Sequence, residues 1–269
     1  MQFRYLSLVR QQAPLEHCIT NIVVTNFSAN GLLALGASPF MSAMPQEVTE
    51  IQNFAQALLI NIGTLNQSDV EAMLIAGKAA NRTGVPVVLD PVGAGATLFR
   101  RKIVEQFLAE INFAVIRGNA AEIGFLAGTD WQGKGVDAGT GADSENLSRL
   151  AQSVAQKYRC VVALSGETDF ISDGLKTYQI CNGTRMLPKV TGSGCLLGAV
   201  IAAFLGVSPP QDYFSACTEA CTVYAVAGEL AAQGLSNEYG SFAMNFINQL
   251  GAIHETRLAD KARVLAQHE

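Results

Sequence analysis

The chain has 269 residues, of which 49% are hydrophobic and only 15% charged, with a formal net charge of −5. That length fits one large α/β domain spanning 1–269, and the apolar share is enough for a sizeable core. The acidic balance excludes nucleic acid and anionic membranes as partners, because nothing in it would displace phosphate counterions; a charged share below the roughly 25% of average soluble proteins favours buried subunit interfaces.

The first residues are broken by Arg4, Arg10 and Glu16 and lack the apolar run of a signal peptide. Residues 57–62 (ALLINI), 85–90 (VPVVLD), 112–117 (NFAVIR) and 160–165 (CVVALS) are predicted strands, mostly continuous apolar runs of the kind covered on both faces. Helices are predicted over 68–82, opened by a Ser68-x-x-Glu71 capping box, and over 98–109, 119–128 and 144–158. Residues 133–142 (GKGVDAGTGA) form a mobile loop candidate. Residues 177–181 and 185–190, joined by Asn182-Gly183, predict a hairpin at one end of the sheet. Helices follow over 194–205, 211–233 and 239–254, and the apolar run from Leu196 to Val207 is too short to span a membrane. The alternation predicts an α/β fold with a central, mostly parallel sheet flanked by helices on both faces. Six cysteines without a Cys-x-x-Cys pair indicate reduced thiols and a cytoplasmic location.

In such a sheet ligands bind beyond the carboxyl ends of the strands. Those ends carry Asp90 with Pro91 and a Gly/Ala-rich turn to Thr97, Arg117 followed by Gly118, Asn119 and Glu122, then Ser165, and finally Thr191-Gly192-Ser193-Gly194-Cys195 before an apolar helix. Each has a bland alternative. Asn119 with Glu122 is also a capping box, Asp90 before proline can merely start a turn, and an arginine ending a strand is ordinarily solvated. The Thr191–Cys195 turn is the most specific, since its glycines let backbone N–H groups approach a ligand at a helix N-terminus. Two other patterns fail on context. Gly128-x-x-x-x-Gly133-Lys134 has Gly135 where a P-loop needs a hydroxyl, and Gly192-x-Gly194 has no later strand carboxylate for a ribose. Cys217 and Cys221, four apart on an apolar helix, read as a core pair.

His17-Cys-Ile-Thr-Asn21, Val24-Thr25-Asn26-Phe27 and the run from Asn30 to Pro39 resemble the N-terminal signature of the hydroxyethylthiazole kinases, a family of the ribokinase-like superfamily. LDPVGAGAT (89–97), IRGNAAEI (116–123) and VTGSGCLLGA (190–199) resemble its later blocks in the same order, and the similarity runs from about residue 14 to about residue 250. The resemblance implies a ribokinase-like fold and ATP- and Mg²⁺-dependent phosphorylation of 4-methyl-5-(2-hydroxyethyl)thiazole, a thiamine-salvage step. It implies that Met41, Gly192 and Asn21 contact the thiazole alcohol, that Arg117, Ser165, Gly194 and Asn119 serve ATP and its phosphates, and that Asp90 and Glu122 act on the metal side. It also implies a homotrimer with sites between subunits. Ser165 stands where the family often has threonine; either hydroxyl can donate or accept. Cys195 stands where most ribokinase-like enzymes carry an aspartate base. At a helix N-terminus its thiol is expected to ionise nearer neutrality, as a weak base or as a group that orients the hydroxyl.

The competing readings are a ribokinase-like kinase for a pyridoxal- or hydroxymethylpyrimidine-type alcohol, a silent metabolite-binding protein on that fold, and a cysteine hydrolase. The segment from Asn21 to Met41 disfavours the first. The retained Arg117 and Asp90 disfavour the second, and nothing places His17 beside Cys195 for the third.

Overall fold

The computed structural model describes residues 3–128 and 141–267, without the side chains of 141–143. In chain order the elements are α1 (Tyr5–Gln12), β1 (Leu15–Ile19), α2 (Thr25–Leu35), β2 (Ser38–Met41), α3 (Val48–Ile51), β3 (Ala57–Asn61), α4 (Gln67–Thr83), β4 (Val87–Asp90), α5 (Leu98–Glu110), β5 (Val115–Asn119), α6 (Ala120–Ala127), α7 (Gly141–Tyr158), β6 (Val161–Ser165), β7 (Asp169–Ser172), β8 (Thr177–Ile180), α8 (Ser193–Leu205), α9 (Tyr213–Ala231), α10 (Tyr239–Ala252), α11 (Glu255–Lys261) and β9 (Val264–Gln267). The strands form one sheet in the order β2-β1-β3-β4-β5-β6-β7-β8-β9. β2 through β6 pair in parallel; β7, β8 and β9 are antiparallel.

Side chains alternate across each strand, so a continuous apolar run feeds two cores at once. In β3, Ala57 and Leu59 join a core built with α1, α2 and α8–α10, while Leu58 and Ile60 join one built with α4–α7. α8 is buried on nearly every side, because it lies between the sheet and α2 and α9. α1 has no side-chain cap of its own; Glu219 of α9 accepts the N–H groups of Arg4 and Leu6 at 2.9 and 2.8 Å. Among the described residues no helix is long and apolar enough to cross a membrane.

Several expectations need correction. Residues 185–190 are no strand; they hold a 3₁₀ turn over Leu187–Lys189. β8 instead pairs with β7, through a turn in which Asp173 Oδ1 accepts the N–H groups of Leu175 and Lys176, and with β9 on its other side. The Asn182-Gly183 pair does not close a hairpin because Asn182 is tied to the C-terminal segment. Its Oδ1 accepts Arg263 N–H at 2.6 Å, and its Nδ2 donates to Lys261 C=O and to Glu229. α4 is capped by Asn66, whose side chain accepts Asp69 N–H at 2.9 Å, so Ser68 lies inside the first turn. β5 runs two residues past the predicted end, which places Arg117 within the sheet. The expected loop over 133–142 lies outside the described residues except for Gly141 and Ala142, which open α7. Lys134 and Gly135 of the P-loop mimic lie outside them too, and Gly128 is the left-handed cap that ends α6.

Candidate active site

The sheet changes direction at β1. The chain leaves it through α2 to β2 on one side and later returns to β3 on the other. Such a switch point opens a crevice beyond the strand ends, and a row of polar side chains crosses it. Asn61 ends β3, Asp90 ends β4, Asn119 ends β5 and Ser165 ends β6. Asn61 is in register with Asp90, and Asn119 with Ser165. Asn21 lies two residues past β1, and Met41 ends β2 opposite Cys18.

Hydrogen bonds join this row into a chain. Asn21 Nδ2 donates to Cys195 Sγ at 3.3 Å and to Asn61 Oδ1 at 2.9 Å. Asn61 Nδ2 donates to Asp90 Oδ2 at 2.6 Å. Arg117 Nη1 donates to Asp90 Oδ1 at 3.2 Å, and its Nη2 to Ser165 Oγ at 2.9 Å. Glu122 lies beside this row. Its two oxygens accept Gly93 N–H and Asn119 N–H, each at 2.9 Å. The Asn119 side chain accepts the N–H groups of Ala121 and Glu122, so the capping box predicted from the sequence is formed.

The first turn of α8 faces the row. Gly192, its N-cap, has φ +93°, and a Cβ there would come within 2.9 Å of Val24. A left-handed backbone against a packed neighbour leaves only glycine. A Cβ on Gly194 would stand 3.1 Å from Arg117 Nη2, so the absent side chain lets the helix backbone approach the guanidinium. The first bond along the helix runs from Leu196 N–H to Gly192 C=O, which leaves Gly194 and Cys195 N–H among the first-turn donors that need partners from outside the helix.

Burial dominates the electrostatics. It pushes the fully buried Asp90 carboxyl up to about 6, with Glu122 adding to the rise while Arg117 and Asn61 hold it down. Burial alone would lower the Arg117 guanidinium, yet Asp90, Glu122 and Cys195 hold it above its ordinary value. Arg117 is only 9% exposed and its Nε has no hydrogen-bond partner. A solvated strand-end arginine is therefore the wrong picture: the guanidinium is part of a buried ion pair. Cys195 also departs from expectation. Burial and then the Asp90 charge raise its thiol above the ordinary value, and the amides of Asn61 and Asn21 and the Arg117 charge offset this only in part. The expected fall toward neutrality is not what these surroundings give, because burial disfavours the thiolate.

The structure thus brings Asn21, Cys195, Asp90, Arg117, Ser165 and Gly194 into one connected group, with Gly192, Glu122 and Asn119 at its margin and Met41 on the neighbouring strand end. Asn61 was missed from sequence. The lone polar side chain in the otherwise apolar run ALLINI was the signal that could have found it. Arg100 was missed as well. It donates to the carbonyls of Ile62, Gly63 and Val92, tying the loop after β3 to the loop after β4.

A profile of the hydroxyethylthiazole kinase family matches residues 6–256. The chain belongs to that family. It is 55% identical over 264 residues to a hydroxyethylthiazole kinase of Haemophilus influenzae, covering 98% of each chain. It is 50% identical over 270 residues to one of Listeria monocytogenes, covering 99% of each. The solved hydroxyethylthiazole kinase of Pyrococcus horikoshii superposes with a TM-score of 0.89 at 37% identity over 98% of each chain. A pyridoxal kinase of Bacillus subtilis shares only the fold, at 16% identity and a TM-score of 0.60 over 80% of this chain and 91% of that one. The ribokinase-like fold expected from the sequence is thus present, and membership of the hydroxyethylthiazole kinase family sets aside the sensor and hydrolase readings.

Proposed function

We propose that this chain, as one kinase domain, transfers the γ-phosphoryl group of ATP to the hydroxyl of 4-methyl-5-(2-hydroxyethyl)thiazole, in thiamine salvage. One observation carries the reading beyond family membership. A buried polar row from Cys195 to Ser165 lies along the carboxyl ends of the strands, facing the first turn of α8. Acceptor and donor meet across it. Met41, Asn21 and Gly192 hold the alcohol on the β1–β2 side; Arg117, Ser165, Gly194 and Asn119 hold the nucleotide phosphates on the β5–β6 side.

Phosphoryl transfer through a loose transition state asks mainly for alignment and for stabilisation of charge on the moving group. The N–H groups of Gly194 and Cys195 and the positive end of α8 supply preorganised donors. Arg117 neutralises phosphate charge while remaining anchored to Asp90. Burial keeps most of the Cys195 thiol protonated, and in that form it orients the alcohol; only its thiolate fraction can take the alcohol's proton, late in transfer.

Asp90 and Glu122 would hold a Mg²⁺ ion through water, since that ion keeps several of its waters. Glu122 is close enough to raise Asp90, and among the described residues no group of three or more His, Cys, Asp or Glu side chains forms a tighter cage. When bound, the ion would offset negative charge between the phosphates. We further propose a homotrimer whose pockets are lined by two chains: Ile22 and Val23, directly after Asn21, are 80% and 63% exposed, and Met44, three residues past Met41, is 57% exposed. The reduced cysteines support a cytoplasmic location. ADP release on addition of the thiazole alcohol with ATP and Mg²⁺ is the test; ADP release with pyridoxal or hydroxymethylpyrimidine and none with the thiazole would overturn the reading.

A further inference from the structure

Asn61 is tied to both of its neighbours in the row and to the backbone of its own loop. It is 1% exposed, between β1 and β4 at the point where the sheet reverses direction. Its Oδ1 accepts Asn21 Nδ2 and Gly63 N–H, both at 2.9 Å, while its Nδ2 donates to Asp90 Oδ2 at 2.6 Å. The amide has one workable orientation. Turned over, its NH₂ would face two donors and its oxygen would face a carboxylate. Asn21 is oriented in turn: its Nδ2 donates both to Asn61 and to Cys195 Sγ. Asp90 is gripped on its other oxygen by Arg117.

We propose that Asn61 is a positioning residue that sets the acceptor side of the site, Asn21 and Cys195, at a fixed distance from the phosphate side, Asp90 and Arg117. The proposal rests on the reading of those residues given above. Asn61 touches no reacting atom; it acts through the two amide hydrogen bonds it makes in opposite directions. Asn21 then serves the thiol as well as the alcohol, which gives it a second reason to be an amide. A misplacement of the reacting groups by about 1 Å costs on the order of 100-fold in rate, so a buried hinge between the two halves of the site controls turnover more than affinity.

The test compares full-length Asn61→Ala, Asn61→Asp, Asn21→Ala and the double Asn21→Ala/Asn61→Ala protein with the parent, by ADP release with the thiazole alcohol and by thermal midpoint. For Asn61→Ala, kcat should fall roughly 10- to 100-fold while KM for ATP stays within about twofold. Asn61→Asp keeps the shape and both acceptor bonds but sets a second carboxylate oxygen against Asp90 Oδ2, so the pair must repel or share a proton and the donation that positions Asp90 is replaced by a charge. Its kcat should fall at least about tenfold even where the alanine variant proves too unstable to assay. The double variant should be no worse than the poorer single variant by more than about threefold, because the two residues act as one unit. Losses that multiply, a parent-like kcat for Asn61→Asp, or a loss confined to KM would each overturn the proposal. A parent that releases no ADP with the thiazole alcohol would remove the functional reading and this inference together; an active parent with multiplying losses removes this inference alone.

Discussion

Arg117 shows how a residue's partner decides what its removal does. Paired with a fully buried Asp90, it cannot be truncated without leaving a carboxylate stranded in a low dielectric. Arg117→Ala should therefore lose about 2–3 kcal/mol of transition-state stabilisation and also unfold earlier, by about 3–5 kcal/mol in urea titrations, the usual effect of breaking a buried pair. Asp90→Asn/Arg117→Ala should recover part of the stability and none of the activity. A stability equal to the parent for Arg117→Ala would show that water, or protonation of Asp90, compensates. For Cys195 the burial that raises the thiol predicts slow alkylation by iodoacetamide at pH 7, rising as the pH passes the ordinary thiol range near 9. The mutational test is the same as for any late proton acceptor. Cys195→Asp should match or exceed the parent kcat, while Cys195→Ser should be slower; an inactive aspartate variant with normal substrate affinity would leave the thiol only an orienting role.

Among the elements, those with a continuous apolar run and a cap were legible in the sequence, and those held by distant partners were not. Strands β3, β4 and β6 and helices α5, α6 and α8 lie within a few residues of where periodicity puts them, and the strand-end residues Asp90 and Ser165 with them. β1 and β2 show in the sequence only through the family resemblance of their segments, because Leu15–Ile19 mixes Glu16 and His17 into its run. The buried His17 hides its polarity by bonding Ser42 C=O and Gln52, a solution that no local pattern announces. The failed hairpin has the same origin. A residue more than eighty positions away captures Asn182, and turn chemistry loses to tertiary contact. Asn182→Ala should thus leave β7 and β8 paired and free β9, with early hydrogen exchange over 264–267 and a loss of about 1–3 kcal/mol. Equal protection in parent and variant would mean that β8 alone retains the strand.

Taken whole, the molecule combines a low charge content with apolar side chains left open around its crevice. Leu98 and Phe99 are 74% and 50% exposed at the start of α5, on the same carboxyl edge of the sheet as Ile22 and Val23. A closed ring that covers such residues is expected to sediment as a trimer at micromolar concentration. Ile22→Asp/Val23→Asp should dissociate it and raise KM for the thiazole alcohol more than KM for ATP. A monomeric parent with full activity would end the shared-pocket proposal.

The two faces of the sheet also differ in where their helices come from along the chain. The α4–α7 face draws its helices from one continuous stretch between β3 and β6, and its core, apart from Ile19, runs from Val48 to Phe170, so it can close before the last third of the chain is made. The opposite face cannot. Its helices α1 and α2 come from the start of the chain and α8–α10 from its last third, and the cap of α1 is Glu219. During synthesis from the N-terminus, Ala57, Leu59, Val88 and Val115 therefore wait uncovered until α8 emerges, and the first helix stays uncapped until α9 follows. A nascent chain halted before residue 193 presents a half-clad sheet, an apolar surface of the kind chaperones bind.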